Sequence, residues 1–193
     1  AVFFGKGKTK AYRKTRQEKS MKELSLNILD IAKNSVRAGA KNIGIYINED
    51  SNGILTLRIT DDGCGMDEQT VKSVSNPFFT SRKTRKVGLG IPFLILAAEQ
   101  TGGSVNIDSK TSGDDRGTTV TATFDTKSID FTPLGDVVGS VVTLIQGDPD
   151  RDFVFEHNTP ERKVHLSTAE IREILGDVSL SEPEVLVWIK EYL

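Results

Sequence analysis

The run Ile54–Thr60 (ILTLRIT) passes directly into Asp61-Asp62-Gly63-Cys64-Gly65-Met66, and that junction most constrains what this chain can fold into. Leu55, Leu57 and Ile59 alternate with Thr56, Arg58 and Thr60, the period of a strand with one buried face. A carboxylate and two glycines therefore stand at a strand's end, ahead of a polar helical stretch from Asp67 to Ser73. Glycine lets a flat ring such as a purine approach the main chain, and Asp accepts a hydrogen bond from an exocyclic amine. Asp and Gly are equally the residues of an Asx turn, and the pattern alone does not separate the two readings.

The elements around the junction are α+β in order. Leu24, Ile28, Ile31, Ala32 and Val36 recur at spacings of three and four, which predicts an amphipathic helix over 23–37 stopped by Gly39. Ile43, Ile45 and Ile47 alternate, and Asn52-Gly53 is a strong hairpin signal leading into the ILTLRIT strand. The stretch 75–90 lacks periodicity, carries Arg82, Lys83, Arg85 and Lys86, and is expected to be a mobile loop. Pro92 suits the first turn of a helix reaching about Gln100, ended by Gly102-Gly103. Strands are expected at 104–108 and 118–124, with a turn at Gly113-Asp114. Beyond Ser128 the chain predicts a small-residue helix (135–146), a hairpin (152–166) and two short helices (168–175 and 182–192). The expected fold class is α+β: a two-layer sandwich, one mixed sheet with helices on one face, carrying a small C-terminal α/β appendage.

Three segments follow from this reading: a basic extension (1–20), a main domain (21–128) and the appendage (129–193). With 193 residues, 37% hydrophobic and 27% charged, there is material for one good core but hardly for two full domains. No apolar run approaches the roughly 18 residues needed to cross a bilayer, so no membrane span is expected. The single Cys64 forms no internal disulfide, and two His with one Cys match no zinc spacing; a reducing, cytoplasmic compartment is expected. Residues 1–20 hold seven Lys or Arg against one Glu, whereas the rest holds 18 bases and 26 acids. An acidic body argues against nucleic acid as a partner. The basic arm reads as a disordered or cloning-derived extension, or as an arm that docks on a partner.

Two further constellations carry chemistry. Asp30 and Asn34 lie four residues apart and share a helix face, presenting a carboxylate and an amide oxygen together. Such a pair suits Mg²⁺, with the acid able to orient or deprotonate a water; it is also an ordinary solvated face. Gly88-Leu89-Gly90 ahead of a helix offers free N–H groups at a helix N-terminus, suited to phosphate, or is a plain loop-helix junction. Neither the P-loop signature GxxxxGK[ST] nor GxGxxG occurs, so any nucleotide is bound in another way.

With these residues in place, the chain resembles the GHKL superfamily of Bergerat-fold ATPases, which includes gyrase B subunits, sensor histidine kinases, anti-sigma-factor kinases and MutL proteins. ILDIAKNSVRAGA (28–40) is similar to the N-box, DDGCGM (61–66) to the G1 box, NPFFTSRK (76–83) to the F-box and the start of the ATP lid. VGLGI with TGGSVNIDS is similar to the G2 region and the strand beyond it, so the likeness runs from about 21 to 126. It implies ATP and Mg²⁺ as cofactors. By the resemblance, Asn34 holds Mg²⁺, Asp30 is the catalytic acid-base position, and Asp61 reads adenine in a pocket shaped by Gly63, Gly65 and Met66. Phe79, Thr80, Arg82 and Lys83 belong to the lid, with Arg82, Lys83 and Arg85 placed to clamp the γ-phosphate. Gly88, Leu89 and Gly90 contact phosphates, and Thr118 joins the nucleotide pocket.

Departures from the family pattern bear on the activity. Hydrolysing relatives carry Glu where this chain has Asp30; one lost methylene moves the carboxylate by about 1 Å, and misplacement of that order costs about 100-fold in rate. Lys86 replaces a lid glycine of many histidine kinases, and Arg37 replaces the Asp of the MutL-like N-box. His157 and His165 follow the domain, and His157, with Pro160 three residues on, matches no phosphoacceptor box. Trp188, Ile189 and Leu186 read as packing residues. The expected function is an ATP-dependent regulator or kinase acting on a partner protein, with slow hydrolysis. The alternative is a non-catalytic nucleotide-sensing adaptor whose lid controls docking; a protein serine kinase is a third reading, and a homodimer is a further expected partner state.

Overall fold

The computed structural model describes residues 23–75 and 90–193. In chain order these form α1 (Leu24–Arg37), β1 (Asn42–Glu49), β2 (Ile54–Asp61), α2 (Glu68–Val74), α3 (Gly90–Gln100), β3 (Ser104–Lys110) and β4 (Gly117–Asp125). There follow α4 (Val137–Gly147), β5 (Asp152–Asn158), β6 (Lys163–Ser167), α5 (Thr168–Leu175) and α6 (Pro183–Tyr192). The helix starts are capped locally: Asp67 accepts from the Thr70 amide, Asp136 from that of Gly139 and Ser167 from that of Glu170, while Pro183 opens α6.

All six strands join one mixed sheet in the order β3-β4-β2-β1-β5-β6. Every neighbouring pair is antiparallel except β1 with β5, which run parallel with Asn42 opposite Asp152. The hairpin expected near the C-terminus thus exists as β5 and β6 and extends the sheet beside β1. Strands from before and after Ser128 share this one sheet, and buried residues from both sides share one hydrophobic core.

Alternation produces the core. Ile107, Val120, Ile59, Ile45, Phe155 and Leu166 stand opposite one another in a single row that crosses all six strands on one face. A second row, Val105, Ala122, Leu57 and Ile47, lies on the same face two residues along. Onto this face pack Leu24, Ile28 and Ile31 of α1, Leu94 and Ala98 of α3, and Leu144 and Ile145 of α4, all buried. Each fully buried Ile or Leu contributes about 1.5–3 kcal/mol relative to an exposed one. The opposite face is polar, and there Arg58 lies 4.5 Å over the ring of Tyr46. The architecture is therefore the α+β two-layer arrangement expected.

Candidate functional site

The apolar face of the sheet ends in polarity at one place. The row beyond Ile107–Val120–Ile59 consists of Ser109, Thr118 and Asp61, opposite one another on β3, β4 and β2. Over this row stands the last turn of α1, and between them opens a cleft of about 340 Å³. Ile31, Ile59, Ile91 and Val120 form its apolar walls, while Asn34, Ser35, Arg37, Asp61 and Thr118 supply its polar groups. Ala38, Cys64, Gly65 and Met66 close the side. A concave apolar site with a few convergent polar groups has the size and character of a small-molecule pocket.

Asp61 is held from two sides. Ser35 Oγ donates to its Oδ2 at 2.6 Å, and the Gly63 amide donates to its Oδ1 at 2.9 Å. A carboxylate offers about four acceptor positions, so capacity remains on the cleft side for a donor such as an exocyclic amine. Ser35 is only 3% exposed and occupies the position where the buried stripe of α1 would carry another apolar residue. Its hydroxyl fixes the orientation of Asp61.

The loop after Asp61 is sewn down by long-range bonds. Asp62 turns away from the cleft: Oδ1 accepts from the Lys41 and Asn42 amides at 2.7 and 2.9 Å, and Oδ2 from Asn42 Nδ2 at 2.7 Å. Partial burial pushes the Asp62 carboxyl up, but the hydrogen bonds from Asn42 and Lys41 outweigh it and hold the group below the usual carboxylate range. The Cys64 amide donates to the Ala38 carbonyl at 2.9 Å, and the Met66 amide to Ser109 Oγ at 2.7 Å. Ser109 Oγ also lies 3.0 Å from the Gly117 carbonyl and 2.9 Å from Thr118 Oγ1. Gly65 has φ +68°, and a Cβ there would lie 2.0 Å from the Lys110 carbonyl oxygen. Only glycine lets the loop pass this close to β3.

Asn34 lines the mouth of the cleft, and its Oδ1 accepts from Arg37 Nη1 at 2.9 Å. Asp30, one turn earlier, sits against Gly90, where an added Cβ would approach Asp30 Cβ to 2.8 Å. Sharing a helix side with Asn34 thus places Asp30 at the start of α3, outside the lining of the cleft. Asn27, 1% exposed, donates from Nδ2 to the Gly90 carbonyl at 3.0 Å and ties α3 to α1. Among the described residues no group of three His, Cys, Asp or Glu is arranged to hold a metal ion, and no helix is long and apolar enough to cross a membrane.

Of the residues singled out from the sequence, Asn34, Asp61, Gly65, Met66 and Thr118 come together at the cleft, with Gly63 in contact with Asp61. Gly90 lies beside Asp30. Phe79, Thr80, Arg82, Lys83, Arg85, Lys86, Gly88 and Leu89 lie outside the described residues. Ser35, Ser109 and Asn27 escaped the sequence reading. For Ser35 and Asn27 a signal existed: each is a polar residue at a stripe position of an amphipathic helix. Ser109 had only its place in line with Asp61, visible once the register was known.

Comparison with known proteins bears on this arrangement. The chain is 31% identical over 85 residues to a candidate sensor protein of Shewanella frigidimarina (strain NCIMB 400), a match covering 42% of this chain and 13% of that protein. It thus spans a small part of the curated relative. Among solved structures it is similar to the N-terminal domain of a DNA repair protein, at 16% identity and TM-score 0.48, covering 76% of this chain and 53% of that one. It is also similar to the Aquifex aeolicus MutL ATPase domain complexed with ADP, at 12% identity and TM-score 0.47, covering 77% and 66% of the two chains. A mycobacterial sensor histidine kinase, MprB, is similar at 22% identity and TM-score 0.40, covering 51% and 66%. The model of one family matches residues 18–128, more than half of the sequence and every strand that frames the cleft, and the chain belongs to that family: the histidine kinase-, DNA gyrase B- and HSP90-like ATPases.

Proposed function

We propose that this chain is a Mg-ATP-binding module that acts as an ATP-dependent regulator or kinase toward a partner protein and hydrolyses ATP slowly. The observation that carries the reading is Asp61, fixed by Ser35 and Gly63 at the polar end of an apolar cleft, with acceptor capacity left toward the cavity. Ile59, Ile91 and Val120 would hold the adenine ring and Asp61 would accept from its amine, with Gly63, Gly65, Met66 and Thr118 completing the pocket. Asn34 and Gly90 would face its phosphates. In this reading Gly88, Leu89 and the lid residues Phe79, Thr80, Arg82 and Lys83 complete their binding.

The residues at the mouth fit Mg²⁺ in one respect: Asn34 Oδ1 is a hard oxygen on the cleft wall. Mg²⁺ keeps most of its waters and binds through one or two protein oxygens together with substrate phosphates, so a single amide oxygen is a sufficient protein share. When bound it neutralises phosphate charge. Asp30 is the group that accepts the proton of an attacking water, and its short side chain together with its place against Gly90 supports slow turnover. A cytoplasmic setting and a homodimer belong to the same reading.

Calorimetry with ATP and steady-state phosphate release test it together. Mg-ATP binding with slow release that Asp30→Asn abolishes is the expected result. Binding without any turnover would favour the nucleotide-sensing adaptor instead. Absence of binding, or binding indifferent to Asp61→Ala, would overturn both.

A further inference from the structure

Asn27 interrupts the apolar stripe of α1. It is 1% exposed, and Leu24, Ile28 and Ile31 around it are 0%, 0% and 3% exposed, so the packing there suits another aliphatic residue. Burying an amide costs free energy that its hydrogen bond only offsets, whereas a leucine of the same branched shape would add to the core. The helix that receives the bond does not need it. Asn27 Nδ2 donates at 3.0 Å to the carbonyl of Gly90, the first residue of α3, and in a helix that carbonyl already accepts from the Leu94 amide. What the bond adds is a fixed contact between two helices beside the cleft. Ile91, next in α3, and Ile31, one turn on from Asn27, both line the cleft. Gly90 is seated against the same stretch of α1, where an added Cβ would lie 2.8 Å from Asp30 Cβ and 3.5 Å from Ile31 Cγ1.

We propose that Asn27 is a positioning residue for the nucleotide: it latches the start of α3 onto α1, so that Ile91 keeps its place in the cleft wall and Gly90 its place against Asp30. It stands where an apolar residue would give more stability. The inference rests on reading the cleft as a nucleotide site and goes further by assigning part of its geometry to a residue outside the cleft lining. Asn27 touches no ligand in this scheme and acts through α3. Helices held only by apolar side chains shift by fractions of an ångström at little cost, because hydrophobic contact is non-directional, whereas a hydrogen bond fixes distance and angle. Without the latch, the start of α3 samples positions that a bound nucleotide must reorder, and that ordering appears as lost affinity.

Calorimetric titration of ADP, in magnesium chloride, into the full chain tests this, with melting curves of the same samples; ADP lacks the group that would be turned over. Asn27→Leu is expected to melt no lower than the wild type and to bind ADP about five- to tenfold more weakly, the equivalent of one ordinary hydrogen bond. Affinity and stability then part company. Titration well below the melting transition samples only folded chain, so a role limited to stability would leave the dissociation constant where it is. Asn27→Ala is expected to lose the same affinity, and its smaller side chain cannot overpack the site if leucine does. ADP affinity unchanged in both variants, or weakened only in a variant that is already melting at the titration temperature, would overturn the role of Asn27 and leave the cleft's reading intact. No ADP binding by the wild type would instead overturn the reading of the cleft itself, and this inference with it.

Discussion

The two ends of β2 carry nearly the same chemistry and do different things. At its start, Asp50 accepts from the Asn52 and Ile54 amides at 2.9 and 2.8 Å and from Asn52 Nδ2 at 3.2 Å, while Gly53 turns the chain with φ +87°. Every partner lies within four residues. At its end, Asp61 is bonded to Ser35, 26 residues away, and Asp62 to Lys41 and Asn42, 21 and 20 residues away. Asp and Gly make a turn in both places, and the first is also pinned at a distance, its Gly53 carbonyl accepting from the Thr126 amide and hydroxyl at 2.8 Å each; yet only in the second turn are the carboxylates themselves bonded to other elements, and there the cleft opens. The Asp50 carboxylate is satisfied within its own turn. A turn whose groups are satisfied by other elements holds those elements apart and fixes the walls of a cavity.

Glycine substitution should widen the contrast most. Gly65→Ala places a Cβ against the backbone carbonyl of Lys110 at a positive φ, so both strain and overpacking act, and a loss of about 3 kcal/mol or more in unfolding free energy is expected. Gly53→Ala meets first the Cε of Lys127 at 2.8 Å, the far end of a flexible side chain, and should cost only about 1 kcal/mol of backbone strain. Urea midpoints of the two variants measure the difference. Similar losses would show that the second loop is no more constrained than the first.

Next in size is the effect on binding. Asp61→Ala should weaken ADP affinity by about 10- to 100-fold, the loss of a hydrogen bond to a charged acceptor in a partly dry cleft. Asp50→Ala, with the same change of charge and the same residue type, should leave affinity unchanged. Calorimetry on the pair decides whether the two aspartates differ in role as they differ in surroundings.

Much of this was legible in the sequence, and the parts that were not share a cause. The stripe of α1, the alternation of β1 and β2 and the Asn52-Gly53 turn are local patterns, and they reappear as elements with ends shifted by a residue or two. The sheet order is not local. The repeat Ile43, Ile45, Ile47 declares one buried face of β1, but says nothing about which strands lie to either side. The parallel pairing with Asp152–Asn158 depends on contacts about 110 residues apart, so β5 and β6 read as part of an appendage. Asp61 and Gly65 were legible for the same reason as the turn at Asp50. Ser35 was marked in the sequence only as a polar residue on the buried stripe of α1; what gives it a role is a partner on another element.

Ser35 supplies a smaller test. Ser35→Ala removes the donor at 2.6 Å from Asp61 Oδ2 but leaves the Gly63 amide in place, so Asp61 keeps its charge and loses half of its anchoring. A neutral donor of this kind is worth about 1 kcal/mol, or roughly fivefold in ADP affinity. If Ser35→Ala binds ADP as the wild type does, the long-range bond is incidental to the site.

The smallest expected effect is one of pH. Asp50 and Asp62 are both held below the ordinary carboxylate value of 3.8. For Asp50 the Ile54 amide is the largest cause; for Asp62 burial opposes the shift, and the hydrogen bonds from Asn42 and Lys41 prevail. A carboxyl with a depressed folded-state pKa favours folding above its unfolded value, and that contribution fades as pH falls through the folded value. The urea midpoint should therefore decline as the medium is acidified from just above 3.8 downward. What counts is the difference between folded and unfolded chain. The Asp50 turn draws its donors from the next four residues and persists in part in the denatured ensemble, whereas the bonds of Asp62 to Lys41 and Asn42 vanish when α1 and β1 separate from the loop. Asp62→Asn should accordingly flatten the acid limb of the stability curve more than Asp50→Asn does. Equal flattening would mean that the loop beyond β2 is as self-contained as the hairpin before it.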